Sequence, residues 1–301
     1  MLSAVTTTTR VARDMNVALL AYVRLTKPRI VLLLVITTIP AMILADGGLP
    51  SPWLILATVL GGSVVAGGAN ALNMYFDRDI DELMLRTRDR PVPAGQIEPE
   101  KAALFGLALA LGGFLFLEWT VNLLAAALTL AAFGFYVLIY TVLLKRATSL
   151  NIVIGGAAGA MPPVIGWAAV NNELAIPALI MFTIVTLWTP PHFWALSLLM
   201  KDEYAKVGVP MLPVVRGEAE TRRQILLYAL LLYAVSQLPF CAGGFGVGYL
   251  VASLALGATF IAGAVRLWRR ADRRAALWLY LFSLAYLALL FVAMVADARL
   301  L

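Results

Sequence analysis

The stretch Asn70-Ala71-Leu72-Asn73-Met74-Tyr75-Phe76-Asp77-Arg78-Asp79-Ile80-Asp81 ends a long apolar run and opens a dense block of charge. Asn73, Asp77 and Asp81 recur every fourth residue, with Asn70 one turn earlier. On a helix that spacing stacks them along one face. Two carboxylates four residues apart repel each other unless a cation lies between them. Hard oxygen ligands on one face suit Mg²⁺, which takes one or two protein carboxylates together with water and phosphate oxygens. A solvated helix end in a charged loop would use the same residues, and spacing alone does not separate the two readings.

The apolar run before this stretch is long enough to cross a bilayer, which takes about 20 mostly apolar residues. The whole chain has that character. Of its 301 residues, 62% are hydrophobic and 13% charged, with a mean hydropathy of +0.89; a soluble domain is nearer half apolar and a quarter charged. Nine apolar stretches, near residues 30–45, 53–75, 102–117, 121–144, 152–170, 175–199, 225–240, 247–267 and 275–296, read as spanning helices. Turn residues punctuate them at Asp46-Gly47-Gly48 with Pro50, at Asn171-Asn172 and at Gly243-Gly244. The expected fold class is therefore all-α, a polytopic membrane bundle of nine helices. Residues 1–29 read as an N-terminal arm without a cleavable-signal pattern, and residues 30–301 as one transmembrane domain. The single cysteine, Cys241, excludes a disulfide framework and a thiolate metal site.

If the N-terminus is cytoplasmic, the arm and every second loop are cytoplasmic too. Those segments hold all but one of the 23 Lys and Arg, Arg299 being the exception. This is the asymmetry of the positive-inside rule. Two of the segments, residues 77–101 and 201–223, also carry most of the acids, which topology does not require. A weak internal repeat relates them: Gly95 placed on Gly217, an offset of 122, sets Glu203 opposite Asp81.

Three clusters share that side: Asn73 with Asp77 and Asp81, Asp202 with Glu203, and the basic set Arg86, Arg88, Arg90, Lys145 and Arg146. Acids facing acids with Lys and Arg between them would hold Mg²⁺ and a diphosphate together. The metal bridges carboxylates to phosphate oxygens, Arg forks onto phosphate, and Lys adds a point charge. Asp77, Asp81, Asp202 and Glu203 are the candidate metal ligands, with Asp202 expected to matter more than Glu203. For the arginines the alternative is topology and anionic lipid.

His192 is the only histidine and sits in Trp188-Thr189-Pro190-Pro191-His192-Phe193-Trp194. An ionisable residue within a span is costly and marks a functional site by default. The two prolines should break the helix ladder, and the flanking aromatics, Trp194 among them, could wall a flat ligand. The plain alternative is a histidine bonded to carbonyls freed at a kink. The small residues of 151–163 allow close helix packing; a flat substrate against the bared helix is the other reading.

Together these segments resemble the UbiA superfamily of intramembrane prenyltransferases, whose first signature, Asn-x-x-x-Asp-x-x-x-Asp, is matched by Asn73, Asp77 and Asp81. The resemblance runs from Leu25-Thr26-Lys27-Pro28-Arg29 to the last span, through residues 86–91, 140–166, 190–194 and 204–213. The superfamily's second motif, Asp-x-x-x-Asp, is not intact: Met200 and Tyr204 occupy its positions, with Asp202 and Glu203 beside them. That departure resembles the haem-modifying branch.

The resemblance implies nine spans around a central cavity open to cytoplasm and lipid. It implies Mg²⁺ as cofactor, farnesyl diphosphate as donor and a vinyl group of haem B as acceptor, with water added to give haem O for haem-copper oxidases. It also implies catalytic roles for Asn73, Asp77, Asp81 and His192, diphosphate contacts from Arg86, Arg88, Arg90, Lys145 and Arg146, and haem contacts from His192 and Trp194. The expected partners are the lipid bilayer and haem A synthase or oxidase assembly proteins, with no nucleic acid, in a bacterial inner membrane. Three readings compete. A prenyltransferase of the same fold acting on a quinone or chlorophyll precursor fits the Pro-Pro-His-Phe-Trp segment and the broken second motif less well. A transporter would place its polar groups near the midplane. A non-catalytic haem-handling assembly factor would bind haem without modifying it.

Overall fold

The computed structural model describes residues 18–298. The first 17 residues of the arm, with Arg10 and Arg13, and Arg299 lie outside the described residues. Within them, nine helices are long and apolar enough to cross a membrane: Pro28–Asp46, Pro52–Phe76, Pro99–Thr120, Leu123–Leu144, Asn151–Asn171, Ile176–Leu199, Gly217–Cys241, Val247–Arg270 and Arg273–Ala298. The protein is a multi-pass, all-helical membrane protein. Several spans carry proline in the first turn, where its missing N–H costs nothing.

Each span packs against its sequence neighbour, the ninth closes on the first, and the fifth crosses to the first. The second and third spans approach closely through small residues: a Cβ on Gly68 would lie 2.5 Å from the Gly106 carbonyl oxygen.

Three spans depart from what apolar runs predict. The fourth is an ordinary helix over Leu123–Gly134 and a π-helix over Phe135–Leu144. The fifth is two helices, Asn151–Gly159 and Met161–Asn171, that meet at Ala160. The sixth, in which a break was expected, runs unbroken through Pro190 and Pro191. The prolines only remove the N–H partners of the Thr186 and Leu187 carbonyls, and the neighbouring Thr189 hydroxyl donates to the Val185 carbonyl at 2.8 Å.

The basic segments gather at one end. Arg24 donates to the Asp89 carbonyl at 2.7 Å, Lys27 reaches Asn73, Lys145 pairs with Asp77, and Arg273 donates to the Leu199 carbonyl at 3.0 Å. The two long loops also meet there. Ile80 and Met84 from the short helix Arg78–Leu83 pack with Val209 and Met211, which lie beyond the matching short helix Lys201–Lys206. Gly95 and Gly217 both have left-handed backbones, with φ of 70° and 81°. The proposed superposition thus pairs two glycines at positive φ, a conformation glycine adopts without strain, one in a turn and one opening the helix Gly217–Val235.

Candidate active site

A cavity of about 420 Å³ opens at the loop end and runs between the first, second, fourth, fifth, sixth and ninth spans. Its mouth is charged, with Lys27, Asp81, Arg86, Arg90 and Lys145 in the wall; the rest of the wall is largely apolar and includes His192.

The acidic signature survives the end of its helix. The second span stops at Asp77, but the Asp77 amide bonds to Asn73 O at 2.9 Å and the Asp81 amide to Asp77 O at 2.8 Å. Helical spacing therefore continues across the junction into the short helix. Asn73 Nδ2 donates to Asp77 Oδ2 at 2.7 Å and Asn73 Oδ1 accepts from Lys27 Nζ at 2.8 Å. Lys145 pairs with Asp77, and Arg90 with Asp81 at 2.6 Å. Each carboxylate thus has its own cation, which offsets the repulsion their spacing creates.

Two oxygens are left over: Asp77 Oδ1 and Glu203 Oε2 are buried without a hydrogen-bond partner. Buried acceptors of this kind are costly, and a divalent cation would satisfy either, but of the four candidate metal ligands only Asp81 lines the cavity; Asp77, Asp202 and Glu203 are outside its wall. Asp202, by contrast, is exposed, so the geometry favours Glu203 where residue type had favoured Asp202. Among the described residues no three of His, Cys, Asp and Glu converge as a ready metal cluster.

The basic set divides. Arg86, Arg90 and Lys145 line the cavity. Arg88 is exposed and outside the wall. Arg146 forks onto Asp79 at 2.7 and 2.6 Å, in a separate crevice with Leu83 and Val207. That fork holds the Asp79 carboxyl at about 2, below its ordinary value. The structure therefore does not bring Arg88 and Arg146 to the cavity: the first points to solvent and the second is committed to Asp79.

Lys27 takes their place, though the sequence offered it only as a topology residue. Burial, with Arg90 and Lys145 nearby, lowers its ammonium to about 7. Tyr204, at a position of the broken second motif, also lines the wall, and burial raises its phenol. It stands there as a neutral hydroxyl.

The π-helix is what carries Lys145 to the mouth. Tyr136, Tyr140 and Lys145 all line the cavity. Nine residues separate Tyr136 from Lys145, which is two and a half turns of an α-helix and would put them on opposite faces. Hydrogen bonds to the fifth residue widen the turn; the Lys145 amide bonds to Tyr140 O at 2.8 Å. Nine residues then come close to two turns. Gly155 and Gly156 leave room for this wall: a Cβ on Gly155 would enter the Tyr140 ring, and one on Gly156 would lie 2.8 Å from Thr189.

Seven residues before the loop-side end of the sixth span, His192 is held by four neighbours, Phe193 packing edge-on at 5.1 Å. Trp188 stacks on one face at 4.3 Å, Tyr280 on the other at 4.8 Å, and Nδ1 lies 2.6 Å from Ser283 Oγ. Trp188 and Phe193 line the cavity with it. Trp194 does not. Two residues beyond His192, it turns to the other side of the helix, is 2% exposed, and packs edge-on against Tyr228 of the seventh span.

The chain as a whole, spans and loops together, matches one class of membrane enzyme. Residues 34–295 match the UbiA prenyltransferase family, and the chain belongs to that family. Among its relatives, the protoheme IX farnesyltransferase of Gloeobacter violaceus is 51% identical over 285 residues, covering 94% of this chain and 93% of the relative. That of Synechococcus elongatus is 52% identical over 286 residues, covering 94% and 90%. That of Thermus thermophilus is 51% identical over 276 residues, covering 92% of this chain and 45% of the relative. The chain thus spans nearly all of the first two and about half of the third.

Solved structures share the fold. A digeranylgeranylglyceryl phosphate synthase superposes with a TM-score of 0.79 at 19% identity, over 94% of this chain and 99% of that one. A UbiA homolog from Archaeoglobus fulgidus, bound to GPP and Mg²⁺, superposes with a TM-score of 0.68 at 17% identity, over 91% and 99%.

Proposed function

We propose that this protein transfers the farnesyl group of farnesyl diphosphate to a vinyl group of haem B, with addition of water, giving haem O. The observation that carries this reading is one cavity whose wall holds both a phosphate-suited basic and acidic cluster and, among apolar and aromatic residues, a histidine. The names of the relatives at about half identity support it.

The mouth residues fit Mg²⁺. Asp77 and Asp81 would hold it, with Glu203 from the second loop, and once bound it would supply positive charge against a departing diphosphate. Lys27, Arg86, Arg90 and Lys145 would bind and orient that diphosphate. Asn73 holds Lys27 and Asp77 in register for the task. The farnesyl chain would lie along the apolar wall, kept from water until its cation has been captured by the vinyl group. Water would then take the second cation, beside the porphyrin, and lose a proton to become the hydroxyl. His192 would serve the haem end, with Trp188 and Phe193 as its aromatic walls.

In this reading the loop end faces the cytoplasm of a bacterium, where diphosphate is supplied, and residues 1–29 precede a single domain. The product would pass to haem A synthase or oxidase assembly proteins. Reporter fusions that put residues 77–101 outside the cell would overturn this orientation. The function is tested by incubating the purified, lipid-reconstituted protein with haem B, farnesyl diphosphate and Mg²⁺. A product heavier than haem B by one farnesyl group and one hydroxyl is expected. Turnover of a quinone precursor instead, or haem binding without any product, would overturn the reading.

A further inference from the structure

Ser283 of the ninth span is fully buried and lies outside the cavity wall, yet it touches the one histidine. Its Oγ lies 2.6 Å from His192 Nδ1, and the same Oγ donates to the Tyr280 carbonyl at 2.6 Å. A serine hydroxyl has one proton and two lone pairs. The carbonyl can only accept, so the proton is spent on Tyr280. What Ser283 offers His192 is a lone pair, and Nδ1 must be the nitrogen that carries hydrogen. Nε2 then carries the free lone pair of a neutral imidazole.

The surroundings restrict where that lone pair points. Trp188 and Tyr280 cover the two faces of the ring, and Ser283 holds the Nδ1 edge. Phe193 packs edge-on at 5.1 Å and lines the cavity beside it; His192 nevertheless lines the cavity too, and the nitrogen left to face it is Nε2. Ser283 is itself fixed from behind, because Trp188 Nε1 donates to its carbonyl at 2.7 Å. Trp188 therefore braces both the ring and the residue that orients it.

We infer that Ser283 is a positioning residue: it locks His192 as the Nδ1–H tautomer and presents Nε2 to the cavity as a ligand for the iron of a porphyrin. Second partners of this kind fix the tautomer of ligating histidines in metal sites generally. The inference rests on the haem reading of the cavity.

With a single histidine in the chain, the tautomer can be read without substrate. Full-length protein is labelled with ¹⁵N-histidine, purified through a histidine-free tag and placed in lipid nanodiscs. Nδ1 is expected to show the shift of a protonated ring nitrogen and Nε2 that of an unprotonated one. Ser283→Ala should convert this to a mixture or to the opposite tautomer, lower haem affinity about tenfold and move the Soret band. Ser283→Thr, which keeps the hydroxyl, should restore the tautomer and the band. Binding of farnesyl diphosphate, whose charged contacts do not include His192 or Ser283, checks that each variant is folded. An Nε2–H tautomer in the wild type, or an unchanged tautomer in folded Ser283→Ala, would overturn the inference. Absence of haem binding by a wild type with the expected tautomer would overturn the haem reading instead.

Discussion

The two charged loops are built on the same plan and left in different electrical states. In the first, Asp77 and Asp81 are 0% and 2% exposed, Asp77 paired with Lys145 from the fourth span and Asp81 with Arg90 of the same loop. In the second, Asp202 is exposed, and Glu203 buries an oxygen with no partner. Among the described residues neither forms an ion pair with Lys or Arg within 4 Å. Asp77 and Asp81 are paired as they stand, whereas the basic residues of the second loop leave Asp202 and Glu203 unpaired. A cation entering between them would gain from the second loop what the first has already obtained from Lys145 and Arg90.

The sharpest way to break this comparison is to remove a carboxylate from the first loop. Asp77→Ala or Asp81→Ala should lower turnover about 10³-fold, on the scale of losing one group that stabilises a developing charge. Spacing alone would suggest little change in stability, since a like-charge repulsion is relieved. The structure reverses that expectation, because Asp77→Ala strands Lys145, whose side chain is 16% exposed. A loss of about 3 kcal/mol is expected, measured by thermal unfolding in detergent. Unchanged melting would mean that the ion pair does not form.

In the second loop the effect should be smaller and confined to one acid. Glu203→Ala should cost about 10²-fold in turnover, while Asp202→Ala stays within about threefold, in steady-state assays of product. The opposite ranking would remove the case for the orphaned Glu203 oxygen.

Lys27→Met tests the cation that joins the two ends of the first loop's network. It should raise the apparent KM for farnesyl diphosphate about tenfold, the value of one charge-assisted hydrogen bond, with unfolding temperature little changed.

The smallest effect belongs to the pair outside the cavity. Asp79 titrates at about 2 in the folded protein, below its ordinary 3.8. Its pairing with Arg146 therefore adds stability above pH 4 and loses it as the pH falls toward 2. The Asp79 side chain is 62% exposed, so less than about 1 kcal/mol is at stake. Asp79→Asn should abolish that acid-dependent loss in pH-resolved melting curves, and Arg88→Ala should leave activity unchanged.

What the sequence made legible was what depends on length and regular spacing. The nine spans follow from apolar runs, the carboxylate row from a period of four, and the kinship of the loops from two glycines. What it hid depends on rotation and on distant partners. Trp194 stands two residues from His192 yet on the other side of the helix, and adjacency in the chain does not reveal that. Arg88, Arg90 and Arg146 look alike as letters; only the Asp79 and Asp81 carboxylates sort them. Lys27 sits before Pro28 like any anchoring lysine, and its bond to Asn73 spans 46 residues. The widened turn at 135–144 has no proline or glycine within it to announce it.

That widened turn also sets a rule for engineering the chain. Within residues 135–144 the number of residues matters as much as their kind. Deleting any one of them would let the segment relax to ordinary helix, a change that local propensity favours. Eight residues of ordinary helix turn about 800° where nine now make about two turns, so everything downstream would rotate by about 80° and Lys145 would swing away from Asp77. A substitution there, conservative in size, leaves the phase intact. Libraries built to reshape this wall should therefore vary side chains and hold the count fixed, since a one-residue slip would disconnect the fourth span from the carboxylates it serves.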